Sequence, residues 1–135
     1  MIYGASGGVG TFAVQIARAF GAEVTAVCST GKMDMVRSIG AEHVIDYTRE
    51  DFTGNGQCYD LILAANGYRS IFKYRNALTP AGTYVMAGGS ISQIFQAMLL
   101  GPMLSKSGGR RLTGVSTRAN QADLLFIKEL SLIHI

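Results

Sequence analysis

The stretch Met1-Ile2-Tyr3-Gly4-Ala5-Ser6-Gly7-Gly8-Val9-Gly10-Thr11-Phe12-Ala13-Val14-Gln15-Ile16-Ala17-Arg18-Ala19-Phe20-Gly21 opens the chain and decides its fold. Met1 to Tyr3 reads as a short strand, and Gly4 to Gly10 as a glycine-rich turn. Val9, Phe12, Ala13, Ile16, Ala17 and Phe20 then recur at the helical period, with Gln15 and Arg18 on the other face. Gly21 suits a helix end that needs positive φ. Val24 to Cys28 follows as a buried strand. A strand, a glycine turn, an amphipathic helix and a second strand make one βαβ unit.

The alternation continues outward. Gly21-Ala22-Glu23 leads into one strand, and Gly40-Ala41-Glu42 leads into His43-Val44-Ile45; Met33, Val36 and Ile39 mark a short helix between them. After a polar stretch, Leu61 to Ala65 reads as a fourth strand and Ile71 to Leu78 as a helix. Thr79-Pro80-Ala81-Gly82 is expected to turn the chain into a fifth strand, Thr83 to Ala87. Ser92 to Leu100 reads as an apolar helix, Leu112 to Ser116 as a sixth strand, and Asn120 to Leu132 as a last helix. Strands separated by helices need crossovers and therefore pair in parallel. The expected fold is α/β, a Rossmann doubly wound parallel sheet of six strands in the order 3-2-1-4-5-6.

Composition agrees with a buried sheet. Of the 135 residues, 48 % are apolar and 16 % charged, and the net charge of +3 is too small and diffuse to suggest a nucleic-acid partner. Ile94 to Leu104 is the most apolar segment and is interrupted by Gln96, Gly101 and Pro102, far short of the roughly 18 apolar residues of a membrane span. Cys28 and Cys58 have no metal-ligand spacing with each other or with His43 and His134, and two buried thiols are expected. These features together suggest a cytoplasmic protein without nucleic-acid or membrane partners.

The glycine turn carries the chemistry. A dinucleotide's pyrophosphate needs backbone N–H groups close by, and a helix N-terminus supplies them together with a favourable dipole. Gly7 and Gly8 are expected to make the close approach and Val9 to pack inward. Gly10 is expected to let the helix rest on the sheet. Ala5 and Ser6 complete the turn, with Ala5 where the strict G-x-G-x-x-G form has glycine. At the end of the second strand no acid stands ready for an unphosphorylated ribose. Cys28-Ser29-Thr30-Gly31-Lys32 instead offers two hydroxyls and a cation, which suit a 2′-phosphate. NADP(H) is therefore expected ahead of NAD(H). Ser29 or Thr30 could equally cap the second helix.

Tyr3 to Gly10, Ile39-Gly40-Ala41-Glu42-His43-Val44-Ile45-Asp46-Tyr47 and Leu78-Thr79-Pro80-Ala81-Gly82-Thr83-Tyr84-Val85 resemble the medium-chain dehydrogenase/reductase superfamily. The likeness is greatest to its zinc-independent quinone-oxidoreductase-like branch and runs from the first residue to about Leu130. In that branch alanine often opens the glycine turn. The resemblance implies that Lys32 and Tyr47 contact the 2′-phosphate, and that Ala65-Asn66-Gly67 and Gly88-Gly89 lie near the nicotinamide ribose and ring. It also implies a substrate domain outside these residues, hydride transfer between NADPH and a quinone or α,β-unsaturated carbonyl, and a homodimer joined through the sixth strand. Residues 1–135 are accordingly expected to be the cofactor domain of a longer chain, because Ser131 to Ile135 departs from the family's continuation.

Two other functions share this fold: the cofactor domain of a zinc-dependent alcohol dehydrogenase, and a non-catalytic nucleotide sensor. A short-chain dehydrogenase is set aside, since no tyrosine has lysine four residues on. No catalytic acid or base can be named. Asp46, Asp60 and His43 sit at strand starts or ends without a partner constellation.

Overall fold

The structure, a computed structural model, describes residues 1–65, 69–87, 109–114 and 121–134. The strands are β1 (Ile2–Tyr3), β2 (Thr25–Cys28), β3 (His43–Asp46), β4 (Tyr59–Ala64), β5 (Leu78–Met86) and β6 (Arg111–Gly114). The helices are α1 (Gly8–Ala19), α2 (Met33–Ser38), α3 (Ile71–Asn76) and α4 (Gln121–His134), with a 3₁₀ turn at Thr30–Lys32. The six strands form one sheet in the order β3-β2-β1-β4-β5-β6. Every pairing is parallel, as the sequence predicts. The expected helix at 92–100 and the end of the sixth strand at 115–116 lie outside the described residues.

Burial explains the strands. All four residues of β2 are buried, as both-faces-covered parallel strands require. β1 has only two residues, yet it lies between β2 and β4, with Ile2 opposite Ala26 and Leu63. One core cluster gathers Tyr3, Phe52, Tyr74, Leu78 and Tyr84; the Tyr74 and Tyr84 rings stack at 4.8 Å. The other gathers Ile2, Val14, Val24, Ala26 and Val36 on the opposite face.

The twin Gly-Ala-Glu junctions have one physical cause. Gly21 lies at φ +79° and Gly40 at φ +118°. At α1 the Gly21 N–H donates to Arg18 O and the Ala22 N–H to Ala17 O; at α2 the Gly40 N–H donates to Arg37 O and the Ala41 N–H to Val36 O. Both helices thus end in the same Schellman turn, which glycine favours because it needs a left-handed residue.

Three expectations are corrected. Val9 does not pack inward: it is 56 % exposed, and Phe12 and Phe20 are exposed with it, while Gly10 and Val14 are buried. The contact stripe of α1 is Gly10, Val14 and Ala17, small enough to bring the helix close to the sheet. Phe20 instead meets the Phe126 ring of α4, 6.1 Å away. Thr79 to Gly82 lies within β5, whose ladder jumps from Tyr59↔Leu78 to Leu61↔Thr83. The turn residues form a bulge there, which is where a strand tolerates Pro80. Finally, only Cys28 is buried; Cys58 is exposed, and both thiols are free.

Candidate cofactor-binding site

In a parallel doubly wound sheet, ligands sit beyond the carboxyl ends of the strands, where the strand order reverses. Here that place is the gap between the exits of β1, β2 and β4. The Gly4 and Ala5 N–H groups both donate to Val27 O at 3.1 Å, and the Ala65 N–H donates to Tyr3 O at 3.0 Å. The glycine turn is thereby pinned between its two neighbouring strands. A cleft of about 600 Å³ opens above it.

Of the residues singled out in the sequence, Ser6, Gly7, Gly8, Val9, Gly10, Ser29 and Tyr47 line this cleft. Ala5 lies directly beneath it, fully buried. Thr30 and Lys32 stand outside the lining, in the exposed 3₁₀ turn that follows Ser29. Asn66, Gly67, Gly88 and Gly89 lie outside the described residues.

The glycines divide into two roles. A Cβ on Gly10 would overlap the Gly4 carbonyl oxygen and come within 2.7 Å of the Ala5 Cα, so Gly10 serves the packing of α1. A Cβ on Gly8 would meet nothing within 4 Å, and one on Gly7 only the Gly4 oxygen at 3.5 Å. The open backbone at these two residues faces the cleft. Gly7 caps α1 in extended conformation without a side-chain bond, and the first turn holds no acid. The first N–H groups of the helix are left to an anion, with the positive end of the dipole behind them. The residues present therefore fit a dinucleotide pyrophosphate.

At the other end of the cleft, Ser29 offers its hydroxyl and Tyr47 a ring 45 % exposed. The Tyr47 ring lies 6.3 Å from that of Tyr3, which also lines the cleft. Lys32 is exposed and has no hydrogen-bond or ion-pair partner among the described residues. Neither the 3₁₀ turn nor α2 has a side-chain cap bond, so the capping alternative for Ser29 and Thr30 is not what the structure contains.

Thr30 is engaged elsewhere. Its hydroxyl donates to Asp46 Oδ2. Thr48 donates to Asp46 Oδ1 through both its N–H, at 2.9 Å, and its hydroxyl, at 2.6 Å. Hydrogen bonds from the Thr30 and Thr48 hydroxyls hold the Asp46 carboxyl below the usual carboxylate range. The acid beside this end of the cleft is 4 % exposed and saturated with donors. Burial, and then the Asp46 charge, push the Cys28 thiol up, which leaves it an unreactive member of the lining.

Ala65, which the resemblance places near the nicotinamide, lines the cleft as well, and sequence reasoning missed Tyr3, Gly4, Cys28 and Arg69, which also line it. Arg69 follows the fourth strand in the chain. Its one signal in the sequence was a position just past a strand's carboxyl end.

The opposite edge of the sheet has different contents. A larger groove of about 880 Å³ there is lined by strand starts, by Ile16 of α1 and by Phe20 at that helix's C-cap. Beside it, Glu23, Glu42 and His43 form the only grouping of potential metal ligands among the described residues. All three are exposed; His43 Nε2 is 2.7 Å from Glu23, and Glu42 is paired with Arg18.

Residues 8–129 match the family described as zinc-binding dehydrogenase. The chain belongs to that family. Its sheet order and glycine turn are those of the cofactor domain of the medium-chain dehydrogenase/reductase superfamily. A mouse relative, "NAD(P)H oxidoreductase RTN4IP1, mitochondrial", is 62 % identical over 48 residues, 36 % of this chain and 12 % of the relative. The trans-enoyl reductase pgmF of Aspergillus terreus is 38 % identical over 90 residues, 63 % of this chain and 25 % of that one. The crystal structure of AibC superposes with a TM-score of 0.78 at 29 % identity, covering 98 % of this chain and 40 % of its own. The chain thus spans less than half the length of the proteins it matches. No helix among the described residues is long and apolar enough to cross a membrane.

Proposed function

We propose that the chain is the NADP(H)-binding part of an oxidoreductase that moves a hydride between NADPH and a quinone or an α,β-unsaturated carbonyl. The observation that carries this reading is the cleft over the bare backbone of Gly7 and Gly8, at the N-terminus of α1. Family membership and the name of the mouse relative support a nicotinamide cofactor, and the name of the Aspergillus relative supports an enoyl-type acceptor. When bound, the nicotinamide supplies or accepts the hydride.

The chain's own residues hold and orient. The first N–H groups of α1 take the pyrophosphate. Ser29, Lys32 and Tyr47 take the 2′-phosphate. Three features favour NADP(H): no acid ends β2, the Lys32 ammonium has no partner among the described residues, and Asp46 is tied up by its threonine donors. Asn66-Gly67 and Gly88-Gly89 border the nicotinamide by the same resemblance. The free thiols of Cys28 and Cys58 suit a reducing compartment such as the cytoplasm.

The test is calorimetric titration of NADPH and NADH into the protein that carries this chain. The reading expects NADPH to bind the tighter, and preference for NADH would overturn it. The family's description favours a second reading, a cofactor domain serving a zinc-dependent alcohol dehydrogenase. Stoichiometric zinc in the purified protein, with alcohol oxidation, would select that alternative.

A further inference from the structure

We propose that Arg69 is the cation that neutralises the cofactor's pyrophosphate, a part that no glycine-turn motif assigns. This rests on the reading of the cleft as a dinucleotide site. The placement follows from the sheet. β4 runs beside β1 with Tyr3 opposite Ala64, so the chain leaves β4 alongside the point where it leaves β1. The Ala65 N–H bonds to Tyr3 O at that exit. Ala65 at that exit and Arg69 line the cleft together with Gly7, Gly8 and Val9.

Charge then singles out Arg69. Among the described residues it is the only one in the lining with a formal charge. A pyrophosphate diester brings two negative charges, whereas the end of a helix offers the equivalent of about half a positive one. The balance calls for a cation, and Lys32 stands outside the lining beyond β2. Arg69 is half-buried, immediately precedes the Ser70 cap of α3, and already takes part in an interaction within the chain. The planar fork of a guanidinium can give two parallel hydrogen bonds to phosphate oxygens. The two cations thus divide the ligand: Arg69 serves the pyrophosphate common to both nicotinamide cofactors, and Lys32 the 2′-phosphate that distinguishes them.

The test compares wild type, Arg69→Gln and Arg69→Lys by calorimetry with NADPH, NADH, ADP-ribose and adenosine 2′-monophosphate. Arg69→Gln is expected to lose roughly ten- to a hundredfold in affinity for the three pyrophosphate ligands alike, the range of a charged hydrogen bond. Adenosine 2′-monophosphate should bind it as it binds wild type. Arg69→Lys keeps the charge and should recover part of the loss, which separates ligand binding from a folding defect. Unchanged affinities would overturn the proposal. So would a loss confined to NADPH and adenosine 2′-monophosphate, which would assign Arg69 to the 2′-phosphate. A wild-type protein that binds no dinucleotide would instead overturn the cofactor reading itself, and this proposal with it.

Discussion

The Thr30 hydroxyl donates to the buried carboxylate of Asp46, tying the turn after β2 to the end of β3. The two residues are brought together by register, because Cys28 stands opposite Asp46 in the sheet. Asp46 also takes both donors of Thr48, so one carboxylate fixes the backbone on two sides of the cleft's outer end. Tyr47, the next residue, owes its position to that knot.

The knot is expected to show in acid. The Asp46 carboxyl is held low by Thr30 and Thr48. Asp51 is held down at about 2 by the hydroxyl and N–H of Thr53, with Lys73 adding to them. Carboxylates whose folded pKa lies below the unfolded value of about 3.9 contribute stability above that pH, and lose it as pH falls through the folded value. The melting temperature should therefore hold near neutrality and decline below about pH 4. Asp46→Asn should lower it by several degrees at neutral pH and flatten the acid decline. A decline as steep as that of wild type would show that Asp46 is not a source of it.

Gly8 and Gly10, two residues apart in one motif, should fail differently. Gly10→Ala forces a methyl into the Gly4 carbonyl and the Ala5 backbone. It should destabilise the fold by about 3 kcal/mol or more, as overpacking against rigid backbone does. Gly8→Val meets open space and should melt within a few degrees of wild type, yet its side chain occupies the room the pyrophosphate needs. Thermal melts paired with NADPH titrations check both. A Gly8→Val protein that binds NADPH normally would remove the pyrophosphate from this turn.

Lys32→Ala should discriminate between the cofactors. With no partner among the described residues, the ammonium has nothing in the fold to lose. Its removal should cost NADPH roughly the 1.5–3 kcal/mol of a charged hydrogen bond and leave NADH nearly unchanged. Equal weakening of both cofactors would place Lys32 elsewhere on the ligand.

The fold was legible in the sequence because its signals are local: a glycine turn between a strand and a helix, and two Gly-Ala-Glu junctions that set the beat of the alternation. Rotation of a helix about its axis is not local. The apolar residues of α1 fall on more than one stripe, and only the contact of Gly10 with the Gly4 carbonyl selects the one that faces the sheet. That is why the helical period alone puts Val9 on the buried face, where the structure exposes it. Of the donors to Asp46, Thr48 is local, but Thr30 is sixteen residues away, and nothing short of the β2–β3 register joins it to the carboxylate. Arg69 escaped notice for a similar reason. It belongs to no motif and enters the cleft only because β4 is the neighbour of β1. In the sequence the bulge in β5 reads as a turn, because Pro80 and Gly82 carry the same chemistry in either setting.

The sheet's edge gives the last prediction. β6 ends the strand order, paired on one side with β5 from Thr83↔Arg111 to Met86↔Gly114, and no other described strand covers its outer side. Unpaired edges present a row of backbone donors and acceptors that readily take another strand. The resemblance to the medium-chain dehydrogenases adds a geometry in which two copies join edge to edge into one continuous sheet. A two-fold arrangement would set the β6 strands of the two protomers against each other, each presenting the same surface. Sedimentation should then report twice the protomer mass for the protein that carries this chain, and amide exchange in Arg111–Gly114 should slow in the dimer. Thr113 is exposed, and Thr113→Lys would place a charge on each copy of the joined strands. Like charges repel and edge lysines discourage pairing, so this variant should shift the population toward monomer with little change in the protomer's melting. A wild-type protein that sediments as a monomer at all concentrations would rule out association through β6.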